Sequence, residues 1–354
     1  MSLPPDTELL ARILAKTSEY LDVPGVVGHE APLLDHIARD FQTLGCAVAR
    51  PNKLAVIETG RDGPVFLAHC DRHGAVSDGL GGFVYAAHAS LDDAARGDIS
   101  GGADAFLAQL TDRYGGEEVF AYERESGGRI AYGEVGAAAL DEHGRAMLVI
   151  ADLPALPKGT PLALARRLER NQRGFIAGQI DNALTLAALR VCAEFGLGGR
   201  IIITAEEECG RSAGHMLEWA GGGGLAPTQD LIVCDTSPFD DAAASLAGTV
   251  ILRRRDASAS FHADQVSRLE RAANAAGAPI IFKDSFIERE NDARARRGES
   301  PKSMGETELG RLTSLSKGAY AGATLQLPTF DHHTRHESTT PRAVLAFART
   351  LMAT

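Results

Sequence analysis

The chain predicts an α/β fold: a largely parallel sheet with helices on both faces, into which a small β-rich domain is inserted. Two observations lead there. Short apolar runs of buried-strand type alternate with helical segments before residue 75 and again after residue 178. Between these stretches, glycine-rich turns separate short strand-like runs. With 354 residues and 44% hydrophobic content the chain is long for one domain and can bury a proper core.

In order, Leu9, Leu10, Ile13, Leu14 and Leu21 take helical spacing over residues 7–21. After Pro24-Gly25, a second helix over 30–44 runs through Leu33, Leu34, Ile37, Ala38 and Phe41. Short strands are expected at 47–48 and 54–57. Residues 64–68 read as a buried strand with His69 and Asp71 at its C-terminal end. From 75 to 169 turns such as Gly79, Gly81-Gly82, Gly115-Gly116 and Gly127-Gly128 punctuate runs at 118–122 and 146–150, with a helical piece within 90–113. The α/β texture then resumes. Helices are expected at 182–195, 212–220, 266–276 and 341–352. Strands are expected at 200–204, 230–234 (with Asp235 at its tip), 279–282 and 325–327. The α/β domain is therefore read as 1–74 plus 170–354, and the insertion as 75–169.

A formal charge of −11 argues against nucleic acid as partner, because phosphates demand a basic surface. Arg253-Arg254-Arg255 and Arg294, Arg296 and Arg297 are short groups that read as solvated faces. Cys46, Cys70, Cys192, Cys209 and Cys234 are odd in number and irregularly spaced, so free thiols in a reducing compartment are expected. Residues 1–14 lack a basic segment followed by an apolar one, and no run approaches the roughly 18 apolar residues that span a bilayer. A soluble, cytoplasmic protein without a membrane partner is the expectation.

Metal-binding side chains of one kind recur far apart: His69 and Asp71, Asp181-Asn182, Glu206-Glu207-Glu208, Asp235, and His332-His333-Thr334-Arg335-His336. In open α/β sheets ligands bind outside the C-terminal strand ends, where most of these fall. Mixed histidine and carboxylate ligands suit zinc, cobalt or manganese, and a carboxylate shared between two ions suits a two-metal hydrolase. His69 and Asp71 project to one side of an extended segment, so one can ligate while the other orients it. Asp181 also suits a helix N-cap. Adjacent Glu207 and Glu208 point different ways, so one can ligate while the other reaches a metal-bound water. A glutamate triplet is ordinarily a solvated face. Here it follows Ile201-Ile202-Ile203-Thr204 directly, and like charges at a buried strand end need a cation.

Taken in order, His-x-Asp after an apolar strand, Gly-x-x-Asp-Asn, Thr-x-x-Glu-Glu-x-Gly, a strand ending in Asp and a late His resemble the di-metal aminopeptidases of metallopeptidase family 42, the TET, glutamyl and deblocking enzymes. The resemblance spans nearly the whole chain. It implies two divalent ions, with His69, Asp181 and Asp235 on one and Asp181 bridging to a second held by Glu208 and His333. His333 is preferred over His332 and His336 because Glu337 follows it by four residues. The resemblance also implies that Glu207 is the general base acting on a metal-bridging water and that Asp71 supports His69. Short peptides would be the substrates, and a homo-oligomer, from dimer to dodecamer, would form through the insertion. Arg72 stands where the family is commonly acidic, and Glu306-Thr307-Glu308 replaces a Gly-Thr-Asp segment. These departures make Arg72 and Arg335 candidates for a substrate carboxylate, and Glu306 and Glu308 for a free α-amine. They also motivate a second reading, a metal-dependent amidohydrolase or deacylase on a small molecule. A non-catalytic assembly protein on the same fold is the third.

Overall fold

The computed structural model describes residues 4–87, 102–334 and 336–354. Helices α1 (Asp6–Asp22) and α2 (Ala31–Thr43) precede strands β1 (Ala47–Ala49), β2 (Leu54–Glu58) and β3 (Val65–His69). Each helix buries its predicted stripe, Leu9, Ile13 and Leu21 on α1 and Leu33, Leu34, Ile37 and Phe41 on α2. The chain then enters the β-rich insertion, comprising β4 (Gly74–Ser77), β5 (Phe83–Ala86), α3 (Gly102–Tyr114), β6 (Glu118–Tyr122), β7 (Arg129–Leu140), β8 (Ala146–Ala151) and β9 (Pro161–Leu164). Its six strands close into an antiparallel barrel in the order β4-β5-β8-β7-β6-β9. Phe106, Leu110 and Tyr114 of α3 join Val119, Val135, Leu148 and Leu162 in a core of the insertion's own. Gly74, at the entry, has no room for a side chain. A Cβ there would lie 2.5 Å from the Leu162 carbonyl oxygen and 2.6 Å from Val26 Cγ2.

Beyond the barrel come β10 (Glu169–Arg170), β11 (Ile176–Ala177), α4 (Ala183–Glu194), β12 (Arg200–Thr204), α5 (Ser212–Gly221), β13 (Thr228–Phe239) and α6 (Ala243–Ala247). Then follow β14 (Val250–Leu252), α7 (Ala263–Ala275), β15 (Ile280–Phe282), α8 (Lys283–Arg296), α9 (Glu308–Leu315), β16 (Tyr320–Phe330), β17 (Ser338–Thr339) and α10 (Pro341–Met352). The main sheet runs β1-β2-β12-β3-β13-β16-β17-β11-β10, with β14 and β15 attached at β16. Its four central strands, β12, β3, β13 and β16, are mutually parallel, whereas the flanks pair antiparallel. Four residues between β1 and β2 can make only a hairpin, which is why that edge is antiparallel. In the centre both faces are covered. Phe66, Leu67 and Ala68 of β3 and Ile201, Ile202 and Ile203 of β12 are fully buried, so these strands read as continuous apolar runs.

The sequence pattern understates several elements. β13 continues to Phe239, so Asp235 lies inside the strand, opposite Gln326, rather than at its tip. The segments forming α6, α8 and β14 carry no clean periodicity, and α9, whose stripe is Leu309, Leu312 and Leu315, is too short to stand out. The basic run at 253–255 is not uniformly a solvated face, since Arg253 is buried. All five cysteines are free thiols. Among the described residues, no helix is long and apolar enough to cross a membrane.

Candidate metal centre

The site forms where the parallel strands end. β12 and β3 are neighbours with Thr204 opposite His69, so the loops leaving both strands run side by side. Asp71, fully buried, joins those loops. Its two carboxylate oxygens accept the main-chain N–H groups of Glu207 and Glu208, each at 2.9 Å, and Oδ1 lies 3.6 Å from His69 Nδ1. His69 Nε2 is 3.3 Å from Asp181 Oδ1 and 3.5 Å from Asp235 Oδ1. The other Asp181 oxygen, Oδ2, is 3.2 Å from His333 Nε2, which lies 3.7 Å from Glu208 Oε1. The structure therefore brings His69, Asp71, Asp181, Glu208, Asp235 and His333 together, with Asp181 facing both histidines. Asp181 is not the N-cap of α4. That position belongs to Asn182, whose amide donates to the Cys234 carbonyl at 2.9 Å. Glu206 and His333 hold left-handed backbone conformations, φ 63° and 58°, which cost energy for non-glycine residues.

Four carboxylates, Asp71, Asp181, Glu208 and Asp235, and the imidazoles of His69 and His333 lie together here, and their electrostatics follow from it. Burial would strip His69 of its proton, but Asp181, Asp235 and Asp71 outweigh that and hold its pKa well above the ordinary value. Burial raises Glu208 strongly, and the Asp181 charge raises it further. Burial and His332 push His333 down to about 3, leaving its ring neutral. Asp181 Oδ1 and His69 Nδ1 are buried without a hydrogen-bond partner among the described residues. Oxygen and nitrogen donors of His69, Asp181 and Glu208 lie within 4.8 Å of one another, as do those of Asp181, His332 and His333. Crowded carboxylates with orphaned donor atoms are what a divalent cation would satisfy, so the residues present fit a metal.

Glu207 lines the adjoining cleft, of about 270 Å³, with His69, Asp181, Asp235 and His333. Burial raises its pKa to about 8 against the pull of His69 and Arg311. Arg311 of α9, which the sequence reading overlooked, donates to Glu207 Oε1 at 3.0 Å. Glu306 also lines the cleft, paired with Arg311 at 3.4 Å. The structure does not bring Arg72 or Glu308 there. The Arg72 guanidinium is buried against the end of α1, donating to the carbonyls of Leu21 and Val23. Glu308 is buried at the start of α9 beside the Ser212 and Thr204 hydroxyls and does not line the cleft. Arg335 lies outside the described residues. Of the rival histidines, His332 stacks on His333 at 3.7 Å and sits 3.4 Å from Glu337, while His336 is exposed.

His73, like Arg311, belongs to none of the motifs above. His73 donates or accepts at Glu208 Oε2, 2.7 Å from its Nε2, and its Nδ1 lies 2.9 Å from each of the Tyr85 and Tyr114 hydroxyls and the Arg113 guanidinium. Because arginine can only donate, Nδ1 accepts, and Nε2–H is the donor to Glu208. Tyr85, Arg113 and Tyr114 all belong to the insertion, so the barrel reaches a candidate ligand through this one ring. The signal was present in the alternation of His69, Asp71 and His73 along one extended segment.

No family model matches the chain, and no curated protein matches it. Solved structures do. An aminopeptidase from the archaeon Desulfurococcus kamchatkensis superposes with a TM-score of 0.70 at 13% identity, covering 97% of this chain and 94% of its own. The TET1 peptidase of Pyrococcus horikoshii, described as assembling into a tetrahedron or a large octahedral shell, gives 0.67 at 15%, covering 96% and 98%. An M18-family aminopeptidase from Thermotoga maritima gives 0.64 at 9%, covering 100% and 99%. This chain shares their fold from end to end.

Proposed function

We propose that the protein is a metal-dependent aminopeptidase that removes N-terminal residues from short peptides. The observation that carries this reading is Asp181, whose two oxygens face His69 on one side and His333 on the other. The fold it shares with aminopeptidases supports it. His69, Asp181 and Asp235 would hold one divalent ion, and Asp181, Glu208 and His333 a second; zinc suits the set best, with cobalt or manganese as alternatives. When bound, such ions polarise a scissile carbonyl and acidify water. Glu207 would take the proton of the attacking water and return it to the leaving amine. Asp71 fixes the backbone that presents both glutamates. Glu306, which lines the cleft, would hold the substrate's α-amine.

The insertion supports self-association. Strands β7 and β8 expose Ile130, Tyr132, Leu140 and Val149, at 56%, 57%, 40% and 52%, side chains that a partner copy would cover. We read it as the contact of a homo-oligomer, a dimer or a larger shell. Light scattering checks this: a monomer at micromolar concentration rules the assembly out. The activity is tested with aminoacyl-p-nitroanilides and added zinc, cobalt or manganese. Hydrolysis that chelation abolishes and metal restores is expected. Inactivity on every anilide, alongside release of acyl groups from N-acyl amino acids, would replace the peptidase reading with a deacylase.

A further inference from the structure

A cavity of about 530 Å³ opens beside the candidate ligands. His332 and His333 form part of its wall, and Arg253, Lys283, Phe239 and Phe286 another. Arg253 also lines the cleft that holds the candidate ligands, so it stands on the boundary between the two spaces. Both cations are buried, each only 6% exposed, and neither has an ion-pair partner among the described residues. Arg253 donates through Nε to Gln326 Oε1 at 2.9 Å and through Nη1 to the Met304 carbonyl at 2.8 Å, while Nη2 donates to nothing described. Lys283 Nζ reaches the Pro238 carbonyl and lies 3.6 Å above the Phe239 ring. The acids in the same wall are differently placed. Asp240 and Glu290 both pair with Lys302, and Asp331 is exposed.

Asp256, Asp235 and Asp284 act on Arg253, and Asp240 and Glu290 on Lys283, but through space and without direct pairing. A buried cation lacking a paired counter-ion is costly, and two in one wall repel each other. Burial first, then Arg253 and Lys302, depress the Lys283 pKa to about 7. A carboxylate entering this cavity meets a guanidinium edge with a spare donor and an ammonium, the two groups best suited to it.

We infer that this cavity binds a carboxylate of the substrate, held by Arg253 and Lys283, so that the enzyme selects anionic substrates. The identity of the substrate as a peptide rests on the aminopeptidase reading; the binding of an anion does not. Two sources supply such a group: the side chain of an acidic N-terminal residue, or the free C-terminus of a dipeptide.

The test compares matched pairs on the metal-loaded full chain. Glutamyl against glutaminyl p-nitroanilide isolates the side chain, and Leu-Gly against Leu-Gly-amide isolates the C-terminus. One pair should differ in kcat/KM by on the order of 10²-fold, the usual scale for losing a charged hydrogen bond at a built site. In Lys283→Met that ratio should collapse towards one. Arg253→Gln should act likewise, but Arg253 also braces Met304, so Lys283→Met is the decisive variant. Turnover with both ratios near one overturns the inference and leaves the peptidase reading standing, and so does a large ratio that survives Lys283→Met. Calorimetry with L-glutamate and L-glutamine separates the opposite case. Tighter binding of glutamate, lost in Lys283→Met, with no hydrolysis of any anilide, keeps the carboxylate site and removes the peptidase. Neither preference nor turnover defeats both.

Discussion

Replacing Asp71 by asparagine should destabilise the metal-free protein by about 4–7 kcal/mol. The carboxylate is fully buried and accepts two main-chain N–H bonds, from Glu207 and Glu208, at 2.9 Å each. Hydrogen bonds to a charged acceptor contribute roughly 1.5–3 kcal/mol apiece, and neutral ones roughly 0.5–1.5. Asparagine keeps one oxygen, so one bond survives in neutral form. Its amino group then faces the second N–H donor to donor, leaving a buried group unsatisfied at about 1–3 kcal/mol. Urea unfolding measures the difference, followed by the fluorescence of Trp219, the single tryptophan, which lies on α5 beyond the same loop. With metal restored, kcat should fall as well, because Glu207 and Glu208 no longer leave the strand in fixed directions. A folded variant whose stability lies within about 1 kcal/mol of the parent would refute the role given to Asp71 and the arithmetic with it.

Glu207→Gln should keep its metal and fold while losing on the order of 10²–10⁴ in kcat; if Glu208→Gln does this instead, the two roles are reversed. Asp181→Ala should lose bound metal, seen by metal analysis, whereas refilled parent protein approaches two ions per chain, and a stable value of one with full activity excludes the bridge. Lys283 should make the metal-free protein more stable as pH rises from about 7 towards the ordinary lysine range, because there the unfolded chain still binds a proton that the folded chain has released. Lys283→Met should abolish that gain in urea titrations at pH 7 and 9.5, and an unchanged slope contradicts the depressed pKa. His73→Leu should weaken metal binding, by competition with a chelating dye, without unfolding the barrel, since Glu208 then loses its His73 donor, the one hydrogen bond to its carboxyl among the described residues.

What the sequence made legible was what repeats or alternates. The apolar runs at 65–68 and 201–203 announced strands buried on both faces, and the acids and histidines following them are side chains the fold gathers into one cluster. Asp71 shows the limit of that legibility. Spacing marked it as a partner of His69, yet its stronger bonds go to the backbone of a segment 136 residues away. Those bonds exist only because β3 and β12 are neighbours. Arg72 failed as a substrate residue for a related reason: charge suggested a ligand, while the fold turned the side chain into the end of α1, where carbonyls needed donors. Arg253 failed in the opposite sense, since three successive arginines look solvated until β14 turns the first inward. α8, with its mostly polar sequence, has little apolar stripe to betray it.

The closed barrel has a consequence for how such a chain can be rebuilt. Its strands satisfy one another around the whole ring, so excising it exposes no half-paired edge in the main sheet. Its entry and exit strands are direct partners, with Gly74 opposite Ala163, so the two cut points lie side by side. A segment with adjacent ends and no loose edges can be transplanted between relatives as a cassette. The graft would not be silent, because Tyr85, Arg113 and Tyr114 would leave with it, and with them the grip that sets His73 against Glu208. Exchanging barrels is therefore a way to retune a candidate metal ligand without touching the main sheet.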